Sequence, residues 1–316
     1  MNHFSIAFYN TENFFDPEDD SLTHDGDFTP NGRKKWTEKR YRNKVWKIGQ
    51  AVSLLGLSET GNPPLFVGLA EIENAKVLQD LIQSDHLDEF NYDYIHFESL
   101  DERGIDTAMI YRKDLIHPLV AEPIRLQFPE TGIPRDFTRD ILYVKFNLNE
   151  LELHTFVLHL PSRQNVDVNR DFRNLIMRKL RARMDEILEE DPNAYIVIMG
   201  DMNGNPDDPD AVEILKTRDV NQLEPGEMFN PMFGLRKSVG SLRYAGKWIL
   251  FDQILFSKAF FEPLNGFVWN RTEVFKDRII QEWDKRFSGS PFRTYAGNKY
   301  LGGYSDHFPV YAILNY

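Results

Sequence analysis

The chain has 316 residues, no cysteine, 41% hydrophobic and 27% charged side chains, and a formal net charge of −12. This is the balance of an ordinary globular protein, and the missing cysteines exclude disulfides, thiolate metal sites and Cys nucleophiles. The acidic total argues against contact with a polyanion over the whole surface, while leaving room for a local basic patch.

Residues 4–9 predict a strand that stops at the polar run Asn10-Thr11-Glu12-Asn13. No charged-then-apolar leader precedes it, and no apolar run is long enough to span a membrane. A cytoplasmic protein without membrane insertion is therefore expected, export of a longer precursor aside. Residues 16–32, rich in Asp, Gly and Pro, predict a long loop. Over 36–57, Tyr41, Val45, Ile48, Val52 and Leu55 recur at spacings of three and four, the period of a helix. Its start is basic, with Arg33, Lys34, Lys35, Lys39, Arg40, Arg42 and Lys44. That run reads first as a solvated helix face and second as a phosphate-binding patch.

A second strand, 65–70, runs into Glu71-Ile72-Glu73-Asn74 and is followed by a helix over 76–82. Strands are predicted over 92–97 and 105–111, the latter carrying Asp106. Alternation predicts more exposed strands over 124–128 and 139–147. A strand over 151–158 ends in His159-Leu160-Pro161-Ser162-Arg163, and a helix over 169–189 carries a second basic series from Arg170 to Arg183. The apolar run 196–199 has the signature of a strand buried on both faces. Gly200 ends it, and Asp201 and Asn203 follow two positions apart, so both side chains can reach one bound atom. A short helix is expected over 210–216, a loop over 222–244, and a strand over 248–256 with Asp252 in its middle. The spacing of Val274, Ile279 and Trp283 predicts a helix over 272–287, followed by a Gly- and aromatic-rich loop over 288–304. Ser305-Asp306-His307 then leads into a last strand over 308–314. With no repeat, low-complexity tract or linker, one domain over 1–316 is expected.

Several strands thus end in, or start from, polar groups of one chemical kind. Each has a structural alternative: Asn10 as a turn cap, Glu71 as a first-turn carboxylate, His159 as a satisfied core histidine, Asp201 and Asn203 as Asx-turn residues. Asp252 within an apolar strand is harder to dismiss, because a buried carboxylate needs a partner. Taken together, oxygen ligands on separate strand ends suit a hard divalent cation such as Mg²⁺ or Mn²⁺. Two histidines with carboxylates beside them suit acid–base work or stabilisation of transition-state charge.

The order Asn10/Glu12, Glu71 in Leu-Ala-Glu-Ile, His159 in Leu-His-Leu-Pro, Gly-Asp201-Met-Asn203, Asp252 in Phe-Asp-Gln-Ile-Leu and Ser-Asp306-His307 resembles the endonuclease/exonuclease/phosphatase superfamily. The opening Tyr-Asn-Thr-Glu-Asn-Phe-Phe-Asp looks like a largely bacterial subgroup of uncharacterised members. The resemblance implies a four-layer α/β sandwich, two mixed sheets face to face with helices outside, and a metal-dependent phosphoesterase. It implies Glu71 as principal metal ligand, with Asn10, Glu12 and Asp306 nearby or at a second metal position. Glu12 sits where many relatives carry Asp, Asn or Gln. By the same resemblance Asp201 orients or deprotonates the attacking water, and Asn203 holds that water or a phosphoryl oxygen. His307, paired with Asp252, stabilises phosphoryl charge, and His159 stands at the phosphate. Ser162 and Arg163 are expected to contact substrate.

The expected function is in-line hydrolysis of a phosphodiester, first of all as a nuclease, with the two basic segments as its support. A phosphatase or phosphodiesterase for a small molecule or lipid headgroup is the alternative, and a catalytically silent binding protein on the same fold is a third reading. A monomer is expected.

Overall fold

A computed structural model describes residues 3–125, 138–163, 169–262, 266–285 and 287–316. In chain order the first half supplies β1 (His3–Phe14), β2 (Phe66–Ile72), β3 (Tyr92–His96), β4 (Asp106–Arg112), β5 (His117–Ile124), β6 (Ile141–Leu148) and β7 (Leu151–His159). The second half supplies β8 (Tyr195–Asp201), β9 (Thr217–Arg218), β10 (Met228–Phe229), β11 (Leu242–Tyr244), β12 (Lys247–Ile249) and β13 (Asp252–Ser257). After these come β14 (Val268–Val274), β15 (Tyr295–Ala296), β16 (Lys299–Tyr300) and β17 (Val310–Asn315). Six strands form one mixed sheet in the order β14-β17-β1-β2-β4-β3, and seven form a second in the order β5-β6-β7-β8-β13-β10-β9.

Burial explains why the strand sequences read as continuous apolar runs. In β8, Val197 and Met199 join the core between the sheets, while Ile196 and Ile198 join a second cluster with Ile176, Leu180 and Met184 of the helix Arg170–Glu190. Alternate residues face opposite sides, so a strand covered on both faces has no polar positions to spare. The first sheet is covered by the helices Glu38–Ser53 and Ala75–Ile82, through Tyr41, Ile48 and Val52 and through Val77, Leu78 and Leu81. The inter-sheet contact is tight. A Cβ on Gly68 would lie 2.6 Å from Met199 Sδ, and the rings of Phe66 and Phe146 stack with centroids 5.8 Å apart. The result is a two-sheet α/β sandwich with helices outside, as the motif order implied.

Pairing direction places the polar strand ends together. β1 runs parallel to β2, and β7 parallel to β8, so Asn10, Glu71, His159 and Asp201 all lie at carboxyl ends. β13 runs antiparallel to β8 with Asp252 opposite Asp201. β17 runs antiparallel to β1 with Val310 opposite Phe8, which brings Asp306 and His307 to the same edge.

The structure corrects four expectations. The described residues of 272–287 do not form the expected helix: β14 is a sheet strand paired with β17, and a 3-10 turn, Arg278–Ile280, follows. Trp283 is exposed, so the three apolar residues never formed one stripe. The strand expected over 124–128 begins at His117 and ends at Ile124, and 126–128 lie outside the described residues. It is exposed and carries Pro118 and Pro123, which only an edge strand tolerates, so its pattern was weak. Asp252 opens β13 and does not sit mid-strand, because 247–249 belong to the separate hairpin β11–β12. The loop expected over 222–244 contains β10, a helical turn (Met232–Leu235) and β11.

Candidate active site

His307 and Asp252 form a tight side-chain pair in the strand-end cluster, with Nδ1 2.7 Å from Asp252 Oδ2 and both residues buried. The ring's Nε2 lies 3.9 Å from Asp201 Oδ2. Burial by itself would favour the neutral imidazole. The charge and hydrogen bond of Asp252, with Asp201 and Asp306 adding to them, outweigh it and hold His307 well above its ordinary pKa. Asp201 is pushed up to about 7, chiefly by burial and further by Asp252, against the opposing charge of His307. Its Oδ1 accepts from the Asn203 N–H (2.9 Å) and its Oδ2 from Asn10 Nδ2 (3.1 Å). Asn203 in turn donates to the Leu160 carbonyl (2.8 Å), which fixes the loop after β8 against the loop after β7.

His159 faces the same space. Its Nε2 lies 3.7 Å from Asp201 Oδ2 and 3.9 Å from Glu71 Oε1. Burial, reinforced by the charges of Arg139 and Arg103, holds it well below its ordinary pKa, so it enters the site as a neutral ring beside a cationic one. Its Nδ1 is buried with no hydrogen-bond partner among the described residues.

Backbone strain concentrates at this edge. Glu12, Asn13, Glu71 and Asn203 have φ of 55°, 50°, 64° and 43°, the left-handed region that costs a side-chain-bearing residue on the order of 1 kcal/mol or more. The β1–β2 register shifts between Asn10 and Phe14, and the β2–β4 register between Ala70 and Ile72. Such bulges re-aim side chains. Here Glu71 ends with Oε2 on the Asn13 N–H at 2.7 Å and Oε1 toward His159.

These groups line a cleft of about 500 Å³ that includes Asn10, Glu71, His159, Ser162, Asp201, Asn203, Asp306 and His307. Asp252 stands behind His307, outside the lining. Glu12 is turned away: its oxygens accept from the Thr294 and Tyr295 N–H groups (2.6 and 3.2 Å). Arg163 lines a neighbouring hollow, donating to the Asn203 carbonyl at 2.6 Å and pairing with Asp208. The basic runs are largely occupied elsewhere. Arg33 pairs with Asp27, Arg42 with Glu38 and Asp80, Arg170 with Asp210, and Lys44 is buried.

The cleft also contains Asn13, from the polar run of β1, and four residues outside the strand-end motifs: Asp101, Glu102, Arg103 and Arg139. Arg139 donates to Asp101 Oδ2 (3.0 Å) and to the His159 carbonyl (3.2 Å), buttressing the end of β7. No strand-end motif marked these loop positions, and only their place in the fold does. Asp201, Asp252 and His307 offer ligand atoms within 4.8 Å of one another and could hold a metal ion.

A model of the endonuclease/exonuclease/phosphatase family matches residues 5–316. The chain belongs to the endonuclease/exonuclease/phosphatase family. Among solved structures, a family protein from Bacteroides thetaiotaomicron is 18% identical with a TM-score of 0.61, covering 99% of this chain and 98% of that one. A mannosyl-6-phosphatase of Bacteroides thetaiotaomicron VPI-5482 is 17% identical with a TM-score of 0.61, covering 99% and 100%. D. rerio TDP2, solved with a single-strand DNA product, is 17% identical with a TM-score of 0.56, covering 99% of each chain. At these identities the likeness shows the shared fold and no substrate. No curated protein matches the sequence. No helix among the described residues of this family member is long and apolar enough to cross a membrane.

Proposed function

We propose that this chain is a divalent-metal-dependent phosphoesterase that hydrolyses a phosphodiester by in-line attack of water, in the manner of a nuclease. The observation that carries the reading is the row Asp252–His307–Asp201 facing Glu71 across one cleft.

The lining fits a cation. Five carboxylates, Glu71, Asp101, Glu102, Asp201 and Asp306, face the cleft against three described cationic side chains, Arg103, Arg139 and the protonated His307. A phosphate ester entering that field alone would be repelled. Oxygen donors of this kind suit Mg²⁺ or Mn²⁺, and Glu71, with Asn10 and Asp306, would hold the ion. When bound, it supplies neutralisation of phosphoryl charge.

The chain's own groups divide the remaining work. Asp201, fixed by Asn10 and Asn203, accepts the proton of the attacking water or orients it. His307, kept protonated by Asp252, donates to a phosphoryl oxygen and offsets the charge that develops there. Between Asp201 and Asp252 we place that imidazolium and not a second metal, because Nδ1 is already committed to Asp252. Neutral His159 offers one further hydrogen bond, and Asn203 and Ser162 complete the polar wall.

The test is hydrolysis of bis(p-nitrophenyl) phosphate and of plasmid DNA with Mg²⁺ or Mn²⁺, with EDTA as control. No metal-dependent turnover on either substrate would overturn the reading. A second reading, a phosphatase for a small phosphomonoester, draws support from the acidic net charge and from the fold shared with a mannosyl-6-phosphatase. Release of inorganic phosphate from sugar phosphates without diester cleavage would favour it.

A further inference from the structure

Exposed aromatic side chains are concentrated on one face. Tyr244, Trp248, Trp283 and Phe287 are all exposed, Tyr244 and Trp283 to 71%. They belong to two stretches, the hairpin β11–β12 and the segment 278–301. Arg243 Nη1 donates to Ser290 Oγ at 3.1 Å and joins the two. Between them lies a hollow of about 430 Å³ walled by Arg243, Phe287, Pro291, Arg293 and Leu301. The large exposed aliphatic side chains, Leu22, Leu100, Leu119 and Leu175 among them, lie outside both stretches.

The two stretches are basic in a chain of net charge −12. Their described residues include Arg243, Lys247, Arg278, Lys285, Arg293 and Lys299 against Glu282 and Asp284, and Arg243, Arg293 and Glu282 line the hollow. The guanidinium groups of Arg243 and Arg278 each lie 6.0 Å from the ring centres of Trp248 and Trp283. Lys34 and Lys47, from the basic run before and within the helix Glu38–Ser53, reach the rings of Tyr295 (5.1 Å) and Tyr304 (4.2 Å).

The face is continuous with the cleft. Leu242 bridges His307 in antiparallel register, the Phe308 N–H donates to the Ser241 carbonyl at 2.6 Å, and the Trp248 and Phe308 rings stack with centroids 6.0 Å apart. The hairpin therefore starts beside the histidine that faces the phosphoryl group.

We propose that this face binds a single-stranded nucleic acid, its unpaired bases on the exposed rings and its backbone on the arginines and lysines, with the scissile phosphate in the cleft. The inference rests on the phosphoesterase reading above for the cleft, and on the face alone for binding. Flat rings take bases of any sequence, and guanidinium groups beside them add attraction to the backbone. A duplex keeps its ring faces inside the stack and would gain only charge. A membrane surface calls for exposed aliphatic side chains beside the aromatics, and here the large exposed ones lie outside both stretches.

The test uses the full chain in EDTA and follows anisotropy of a labelled single-stranded oligonucleotide. The same strand as a duplex and a base-free strand of equal length serve as competitors. Vesicles of phosphatidylcholine and phosphatidylglycerol are tested by sedimentation. Hydrolysis of bis(p-nitrophenyl) phosphate with Mg²⁺ is measured separately. The single strand should compete best. Tyr244→Ala with Trp283→Ala should weaken it on the order of a hundredfold, about tenfold per lost stack, without changing hydrolysis of the small diester. Arg293→Glu should weaken binding and flatten its dependence on salt. Equal binding of the base-free strand or the duplex would overturn the proposal, as would capture by vesicles but not by the strand, or a double variant that binds like the parent. Strand binding as expected from a protein inactive on the small diester would remove the phosphoesterase reading and keep the binding face. Diester hydrolysis without strand binding would remove the binding face alone.

Discussion

Asp252 and Asp201 stand opposite each other in antiparallel register, one opening β13 and the other closing β8. The His307 ring lies between their carboxylates, at 2.7 Å from the first and 3.9 Å from the second. A one-residue slip of β13 would send the Asp252 side chain to the other face of the sheet. The register of two core strands therefore decides whether the histidine has its partner.

Replacing Asp252 tests that dependence. Asp252→Asn keeps the shape but removes the charge that holds the imidazolium. kcat should fall by about 10²–10⁴-fold while metal binding by calorimetry stays near the parent. An unchanged kcat would leave Asp252 as a packing residue only.

Asp201→Asn and His307→Ala should each lower kcat by several orders of magnitude. With both proposed to act on one transition state, the double variant should be little worse than the poorer single one. Losses that simply multiply would place the two residues in separate steps.

Glu71→Gln removes one negative charge from a hard-oxygen site. Weaker Mg²⁺ or Mn²⁺ binding by titration calorimetry is expected, with an unchanged melting temperature in EDTA. An unaltered metal titration would take Glu71 out of the ligand set.

Lys44 is fully buried and donates to Thr294 Oγ1 and the Tyr304 carbonyl, both at 2.5 Å. It pins the segment that carries Asp306 and His307. Lys44→Met removes both bonds, leaving only the long one from Thr294 Oγ1 to the Tyr304 carbonyl at 3.4 Å, and should cost about 2–4 kcal/mol of stability, read as urea unfolding. A loss below measurement error would show that the segment is held without it.

Glu73 supplies a stability test by pH away from the cleft. Burial, with Asp16 and Asp25 close by and the Asp16 N–H opposing, pushes its pKa up to about 9. Between the ordinary carboxyl value and that figure, the folded chain holds a proton that the unfolded chain has released, so this group's contribution to stability falls as pH rises through the window. Glu73→Gln should make stability less dependent on pH between about 5 and 9, measured as the difference in melting temperature. An unchanged slope would mean that Glu73 is ionised in the folded protein.

Much of the fold was legible in the sequence because it rests on local signals. The helix Glu38–Ser53 follows from a stripe of Tyr41, Val45, Ile48 and Val52, and β8 from an apolar run that burial on both faces requires. β5 and β14 are not legible in the sequence because edge strands carry exposed or mixed residues, and only their pairing partners identify them.

The motifs by themselves determined which residue types stand at the strand ends: Asn10, Glu71, His159, Asp201, Asn203, Asp252, Asp306 and His307. Tertiary structure alone decided which of them share a cleft. Chain direction and register, set by packing across two sheets, bring residues 10 and 307 together. The left-handed turn at Glu12 sends its carboxylate to the Thr294 and Tyr295 N–H groups, whereas the bulge at Glu71 points that carboxylate inward. Sequence spacing fixes side-chain direction only while the backbone stays regular, and at this edge it does not.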